Sequence, residues 1–309
     1  MKKTFPMIKN HQYENLVWAD LASPTDTEIK EVSAQHNISP LVAQDLLTPT
    51  PRPVVQILNN SFHAVFHFPV FKQSHSEGNS QEVDFVVGKE YVVTVRYDTV
   101  DALERLGKEI EVRAIVDKDL RHESAGVLLL FILKRMYESA YNELDYMNDV
   151  LSQIEKKIFS GKEKELVLAL SQSIRNLLNF KKVMRSHPIL LSHIEEGGKG
   201  MFGKTFEENI RLIAEEVLVL SEEIDNSLEL AVSLRETTDG LLSTKQNEIM
   251  KTLTVMAFIT LPLSFIASFF GMNTSLPIVG TPYDFLIVIG IMVLTSLFVF
   301  LTVKWRKWI

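Results

Sequence analysis

Residues 247–273, NEIMKTLTVMAFITLPLSFIASFFGMN, decide the architecture of this chain. The stretch opens polar, runs through nineteen uncharged residues at 252–270, and stops at Gly271-Met272-Asn273. At about 1.5 Å of rise per residue, such a run spans roughly 28 Å, close to the hydrocarbon thickness of a bilayer. A second uncharged run of nineteen residues, 285–303, follows a short polar loop, and Lys304-Trp305-Arg306-Lys307-Trp308-Ile309 closes the sequence. The chain reads as a two-span membrane protein with its soluble mass ahead of the spans.

The flanks orient it. The loop at 271–284 contains no Lys or Arg, whereas Lys245 and Lys251 precede the first span and Lys304, Arg306 and Lys307 follow the second. Positively charged flanks stay inside, which puts both termini in the cytoplasm of a multi-pass protein of the cell (inner or plasma) membrane. Trp305 and Trp308 suit the aromatic belt at the interface. The start, MKKTFPMIKN, has two lysines with no apolar run behind them, so it does not read as a signal peptide.

Composition narrows the function. There is no cysteine among 309 residues, hence no disulfide, no thiolate metal site and no thiol nucleophile. Residues 251–309 hold four basic residues and one acid, net +3; the overall charge of −7 therefore leaves −10 on residues 1–250. An acidic soluble part argues against nucleic acid as a partner and would attract cations if several copies assembled. No nucleophile–base spacing, zinc motif or nucleotide loop stands out, so no enzymatic activity is expected.

Residues 1–120 read as a cytosolic α/β domain. Leu16-Val17-Trp18-Ala19 forms a strand, and Pro24-Thr25-Asp26-Thr27-Glu28-Ile29 a capped helix start. A second helix near 40–47 stops at Thr48-Pro49-Thr50-Pro51-Arg52-Pro53. Three β-rich runs follow at 54–58, 62–70 and 82–87, then a hairpin into 91–97, and helical spacing returns at 100–110. Within 62–68, Phe62, Ala64, Phe66 and Phe68 share one face and His63, Val65 and His67 the other. The two histidines stand about 13 Å apart along a strand and cannot share a metal.

Residues 121–203 read as a cytosolic helical hairpin, with helices at 123–159 and 162–191, the second bent near His187-Pro188. The glycine-rich run at 197–203 reads as a reversal; it lacks the Gly-Lys-Ser/Thr ending of a phosphate loop. Residues 204–250 then form a stalk helix. Ile210, Ile213, Val217, Leu220, Ile224, Ser227, Ala231, Leu234, Thr238 and Leu241 alternate three- and four-residue steps, which makes a sustained heptad seam. Its partner is either the helices at 123–195 or other copies of the chain, and periodicity favours neither. Only Gly240 weakens the helix before the first span, so residues 205–270 are expected as one rod of roughly 100 Å.

Two spans cannot enclose a water path, so transport requires an oligomer. The first span (251–270) carries Asn247, Met250, Leu253, Ala257, Leu261, Ser264 and Ser268 at three- and four-residue steps, hence on one face. That face offers apolar rings and two hydroxyls, as a pore wall gated by dewetting would, although ordinary packing through small residues explains the same composition. Pro262 frees the Phe258 carbonyl, which a helix ringed by lipid would tolerate poorly.

These residues carry a resemblance. Asn-Glu-Ile-Met-Lys at 247–251, Leu261-Pro262-Leu263, and Phe265-Ile266-Ala267 leading to Phe270-Gly271-Met272-Asn273 are similar to the CorA family of divalent-cation channels. Trp18-Ala19-Asp20-Leu21 with Pro24-Thr25, Gln44-Asp45-Leu46 and Val92-Val93-Thr94-Val95 resemble that family's cytosolic domain. The resemblance implies an α+β cytosolic domain with long stalk helices and two C-terminal transmembrane helices, assembled as a funnel-shaped homopentamer in the lipid bilayer. It implies passive influx of hydrated Mg²⁺, closed by cytosolic Mg²⁺ between subunits, with Co²⁺, Ni²⁺ or Zn²⁺ as other substrates. By the same resemblance Gly271, Met272 and Asn273 form the selectivity filter in the extracellular loop (271–284), with Gly271 letting the backbone turn. Asn247, Met250, Leu253, Leu261 and Ser264 match pore-facing positions.

The chain departs from the family's pattern at Leu261, Ser264 and Phe270, where Met, Thr and Tyr are more usual. Its loop at 274–280 has no acid; Asp284 is the nearest. Asp98, Asp101, Glu215 and Glu216 are candidate ligands for the regulatory ion, each also readable as a solvated acid. Competing readings are a CorA-like Zn²⁺, Co²⁺ or Ni²⁺ transporter, against which Met272 speaks, and a non-conducting coiled-coil scaffold. The second span (285–303) and basic tail (304–309) complete the plan.

Overall fold

The computed structural model describes residues 8–13, 16–70, 80–98, 100–116, 124–160, 163–272 and 283–306. They divide into two compact units that meet within one helix, at Arg235 and Glu236.

The first unit is built on a six-stranded mixed sheet of β1 (Ile8–Tyr13), β2 (Leu16–Ala22), β3 (Val54–Ile57), β4 (Ser61–Pro69), β5 (Ser80–Gly88) and β6 (Tyr91–Arg96). Its order is β1-β2-β6-β5-β4-β3, and only β2 and β6 run parallel. The strands expected from alternation are all present. The edge strand β1 was not foreseen, because Ile8-Lys9-Asn10-His11-Gln12-Tyr13 has no apolar alternation, as befits a strand paired on one side only.

Period-two geometry gives the sheet two faces. The register sets Phe62 opposite Val87, Ala64 opposite Phe85 and Phe66 opposite Val83, so the β4 phenylalanines and Phe85 share a face. On that side Phe66 and Phe68 pack on His187, and Phe68 also on Tyr137. The other face buries Val86, Val93 and Val95 beneath α1 (Asp26–Gln35) and α2 (Pro40–Asp45). Helix α1 starts where the sequence places it. Thr25 and Glu28 close a capping box, with the Thr25 amide donating to Glu28 Oε2 at 2.7 Å.

Three helices follow α3 (Asp101–Val116) where a hairpin was expected: α4 (Ala125–Lys157), α5 (Glu163–Met184) and α6 (His187–Phe202). The break falls near Pro188, as expected. The glycine run reverses the chain only at its end: residues 197–202 belong to α6, and Gly203, with φ of 81°, turns the chain so that Lys199 pairs with Glu207 and Glu195 with Arg211 of the next helix. Close packing explains the glycines, since a Cβ on Gly198 would press into the Phe206 ring and one on Gly197 would lie 3.1 Å from Ile57 Cγ1. Gly198→Val should therefore destabilise the unit by about 1–3 kcal/mol. At Gly200 a Cβ meets open space, so Gly200→Ala should stabilise it by about 0.5–1 kcal/mol. Chemical denaturation of the two variants checks both signs.

Helix α7 runs unbroken from Lys204 to Phe270, through Gly240 and Pro262. Its heptad seam from Ile210 to Leu234 is buried within the single chain. Ser227 donates to Asn148 Oδ1 of α4 at 2.7 Å, Tyr141 of α4 donates to the Glu216 carbonyl at 3.1 Å, and Lys181 of α5 pairs with Asp225. The seam's partner over this span is thus the chain's own α4 and α5. A cysteine at Val217, buried in the seam, would not report on assembly.

Candidate functional site

In the second unit, α7 and α8 (Asp284–Trp305) are long and apolar enough to cross a membrane, and little of either apolar window is buried. Their apolar surface is therefore not that of core helices.

Along α7, all seven candidate pore positions, Asn247, Met250, Leu253, Ala257, Leu261, Ser264 and Ser268, are exposed. Less exposed are Val255, Ile259, Pro262, Leu263, Ile266 and Phe270. At 3.6 residues per turn, that second set lies about 180° round the helix from the first. Phe258, Phe265 and Phe269 form an exposed stripe between them. Leu253 is 58% exposed and Val255, two residues on, 6%.

The span's hydroxyls divide by hydrogen bonding. Thr252, Thr254 and Thr260 each donate to the carbonyl four residues back, at 2.9, 2.7 and 2.8 Å, so the helix satisfies them itself. Ser264 and Ser268 place hydroxyls on the exposed stripe, toward the C-terminal end of α7. Pro262 lies inside the helix, where its ring nitrogen cannot donate to the Phe258 carbonyl.

At the C-terminal end of α7 the Gly271 amide donates to the Ala267 carbonyl at 3.0 Å, and a Cβ on Gly271 would stand 3.0 Å from that oxygen. Among described glycines only Gly203 has positive φ. Gly271 therefore continues the helical bonding of α7 and does not take the left-handed backbone of a turn. Met272 is exposed beyond it. Asn273 and the 274–280 loop, together with Trp308, lie outside the described residues.

The candidate regulatory acids scatter. Asp98 follows β6, and its carbonyl accepts from Arg96 Nη1 at 3.4 Å. Asp101 opens α3 and lines a cavity of about 400 Å³ with Arg105, Glu143, Asp145 and Asp149. Glu215 and Glu216 are exposed on α7. Among the described residues no group of three or more His, Asp or Glu is placed to hold one metal ion. Sequence reading missed the α4 acids of that cavity wall. The four-residue step from Asp145 to Asp149 puts them on one helix face, but only the fold carries them to Asp101.

The family model described as "CorA-like Mg2+ transporter protein" matches residues 13–305. The Thermotoga maritima cobalt/magnesium transport protein CorA is 22% identical over 294 residues, covering 94% of this chain and 83% of that one. The protein of the same description from Methanocaldococcus jannaschii is 24% identical over 291 residues, 93% of this chain and 90% of its own. The complete structure of the M. jannaschii CorA magnesium transporter superposes with a TM-score of 0.81 at 24% identity, covering 97% of this chain and 94% of that one.

Proposed function

The chain belongs to the CorA-like Mg²⁺ transporter family, and from that premise we propose that it forms a Mg²⁺ channel from several identical subunits, five by the resemblance. The first spans surround a common axis, and the stripe from Asn247 to Ser268 lines the path. The observation that carries this reading is the stripe itself: seven positions exposed in the single chain, opposite the least exposed side of the same helix from Leu253 onward. Because two spans cannot enclose water, neighbours must complete the wall.

The chemistry fits Mg²⁺. This ion gives up its waters reluctantly, so a selective entrance holds the hydrated ion through acceptors instead of stripping it. The amide oxygen of Asn273 is such an acceptor, and the C-terminal end of each first span adds negative potential. Met250, Leu253 and Leu261 make apolar constrictions that can close by dewetting. Both termini lie in the cytoplasm, where the charge of −10 on residues 1–250 draws cations toward sites that close the channel. The names of the relatives support Co²⁺ as a second substrate.

The direct test is flux into liposomes holding the purified protein. Mg²⁺ should enter, Na⁺ should not, and millimolar Mg²⁺ on the cytosolic side should suppress the flux. Flux of Zn²⁺ with none of Mg²⁺ would move the chain to the other transporter reading, and no flux at all to the scaffold. Assembly has its own check, made clean by the absence of native cysteine. Leu253→Cys should give oxidative crosslinks between subunits and Val255→Cys should give few; equal yields would remove the stripe from the axis.

A further inference from the structure

The two helices of the second unit bring like charges together at one end. On α7 the less exposed positions recur at helical spacing from Val255 to Phe270, and on α8 they recur from Val288 to Val303. Aligned head to tail, the two series coincide: Val255 falls level with Val303, Ile259 with Val299 and Phe270 with Val288. The helices thus form an antiparallel hairpin seamed along those faces. The seam is tightest at the end where the first span begins. Among the described residues from 239 onward, Val255 and Val303 alone are buried, at 6% and 5% exposed.

One turn beyond that pair the seam reaches Lys251, four residues before Val255, and Arg306, three residues after Val303. Both are exposed, and neither enters an ion pair among the described residues. Glu248, a further turn back along α7, is exposed and forms no ion pair either. From 251 to 306 the one acid of the sequence is Asp284, at the opposite end of the hairpin. The C-terminal end of α8 offsets part of the charge on Lys304 and Arg306. Lys251 has no such offset, because α7 runs straight through it. A seam that ends on cation facing cation is unfavourable until an anion comes between them. Trp305, 81% exposed beside Arg306, supplies an amphipathic ring of the kind that sits at headgroup level.

We propose that Lys251 and Arg306 together hold the phosphate of one anionic phospholipid, whose acyl chains run on into the bilayer beside the hairpin. Arg306 offers a planar fork to two phosphate oxygens, and Lys251 a point charge to the third side. Their level favours a lipid over a soluble anion. Lys251 directly precedes the uncharged run at 252–270, and Arg306 follows the run at 285–303 by three residues. The bound phosphate therefore sits at the edge of the hydrocarbon, where headgroups are. A zwitterionic headgroup brings its own cation to the same place and is held less well. The site rests on α7 and α8 both crossing a bilayer, and not on conduction.

Native mass spectrometry of the full chain tests this, with the protein released from micelles holding phosphatidylglycerol and phosphatidylcholine in equal amount. The wild type should retain phosphatidylglycerol about tenfold in preference, and Lys251→Gln/Arg306→Gln should bring the two lipids to parity. Lys304→Gln, about 100° round the helix from Val303, should keep most of the preference. Parity in the wild type or a preference untouched in the double variant overturns the proposal. So does an equal loss in Lys304→Gln, which would mark a diffuse field and not a site. Inorganic phosphate that displaces the lipid at the lipid's own concentration would make the ligand a soluble anion, and is equally fatal. Should the double variant fail to survive solubilisation, tryptophan quenching by brominated lipids decides in the wild type. Brominated phosphatidylglycerol must quench at a lower mole fraction than brominated phosphatidylcholine and lose that advantage in high salt; equal quenching overturns the site. Neither readout measures flux, so a chain that binds the lipid and conducts nothing would fail as a channel alone.

Discussion

Asn273→Ala should abolish Mg²⁺ uptake. In a strain lacking other importers the variant is expected to fail on low-Mg²⁺ medium while reaching the membrane in normal amount. The size of the effect follows from what the side chain is asked to do. A hydrated Mg²⁺ presents water protons, and an amide oxygen accepts one without the strong field that would pull the shell apart. Hydrogen bonds to a charged partner contribute about 1.5–3 kcal/mol each. A ring of identical subunits loses one per chain on a single substitution, so occupancy of the entrance falls by several factors of ten. No neighbour can compensate, because the 274–280 stretch contains no acid and Asp284 stands at the far end of the loop. Met272→Leu keeps the amide and should retain most of the flux. Normal growth of Asn273→Ala on low Mg²⁺ would remove the amide from the selectivity step.

Those two substitutions rest on sequence, and the division between what sequence and structure supply is instructive. The spans were legible because nineteen uncharged residues have few other uses, and the β4 strand because Phe62, Ala64, Phe66 and Phe68 alternate with polar or smaller residues. The edge strand β1 was not, since an edge needs no apolar alternation. The seam of α7 was legible as a seam but not as a pairing. Residues such as Val217 and Ile224 ask for an apolar partner, and nothing in a heptad says which chain provides it; the structure gives that role to α4 and α5. The glycines at 197–203 mark the reversal, which falls at Gly203, but not the part that each of them plays. Glycine marks either a backbone that turns or a backbone approached closely, and Gly198 belongs to the second kind because Phe206 lies against it. At the candidate site the stripe was readable from helical period alone. The approach of His63 to Asp84, on the buried face of the sheet, was not, because it depends on the register between β4 and β5, where Asp84 stands opposite Val65.

The same limit applied to the Trp18-Ala19-Asp20-Leu21 run, whose resemblance was visible but whose purpose was not, and it carries the largest stability prediction. Asp20→Ala is expected to cost about 3–5 kcal/mol, a large share of the roughly 5–15 kcal/mol that holds a domain folded. In the structure Arg96, 2% exposed, directs Nη2 to Asp20 Oδ2 at 3.0 Å and Nε to both carboxylate oxygens. Thr94 donates to Asp20 Oδ1 at 2.8 Å and in turn accepts from the Trp18 indole at 3.1 Å. These bonds join β2 to β6, the one parallel pair of the sheet, where no hairpin holds the strands in register. Removing the carboxylate strands a buried guanidinium and leaves the Thr94 hydroxyl without its acceptor, so the penalty is that of an uncompensated charge and not merely of one lost bond. Glu104 contacts the same guanidinium at 3.5 Å but is 40% exposed, so Glu104→Ala should cost less than about 1 kcal/mol. The decisive comparison is the double variant Asp20→Leu/Arg96→Met. It removes the charges together and should recover most of the loss, because an ion pair buried this deeply contributes little beyond its own desolvation. Thermal unfolding of the full chain in detergent reads all four proteins. Because Arg96 also donates to the Asp98 carbonyl, Asp20→Ala should also loosen the approach to Asp98 and Asp101. If Asp20→Ala unfolds within a degree of the wild type, the network neither holds the parallel strands nor explains the motif.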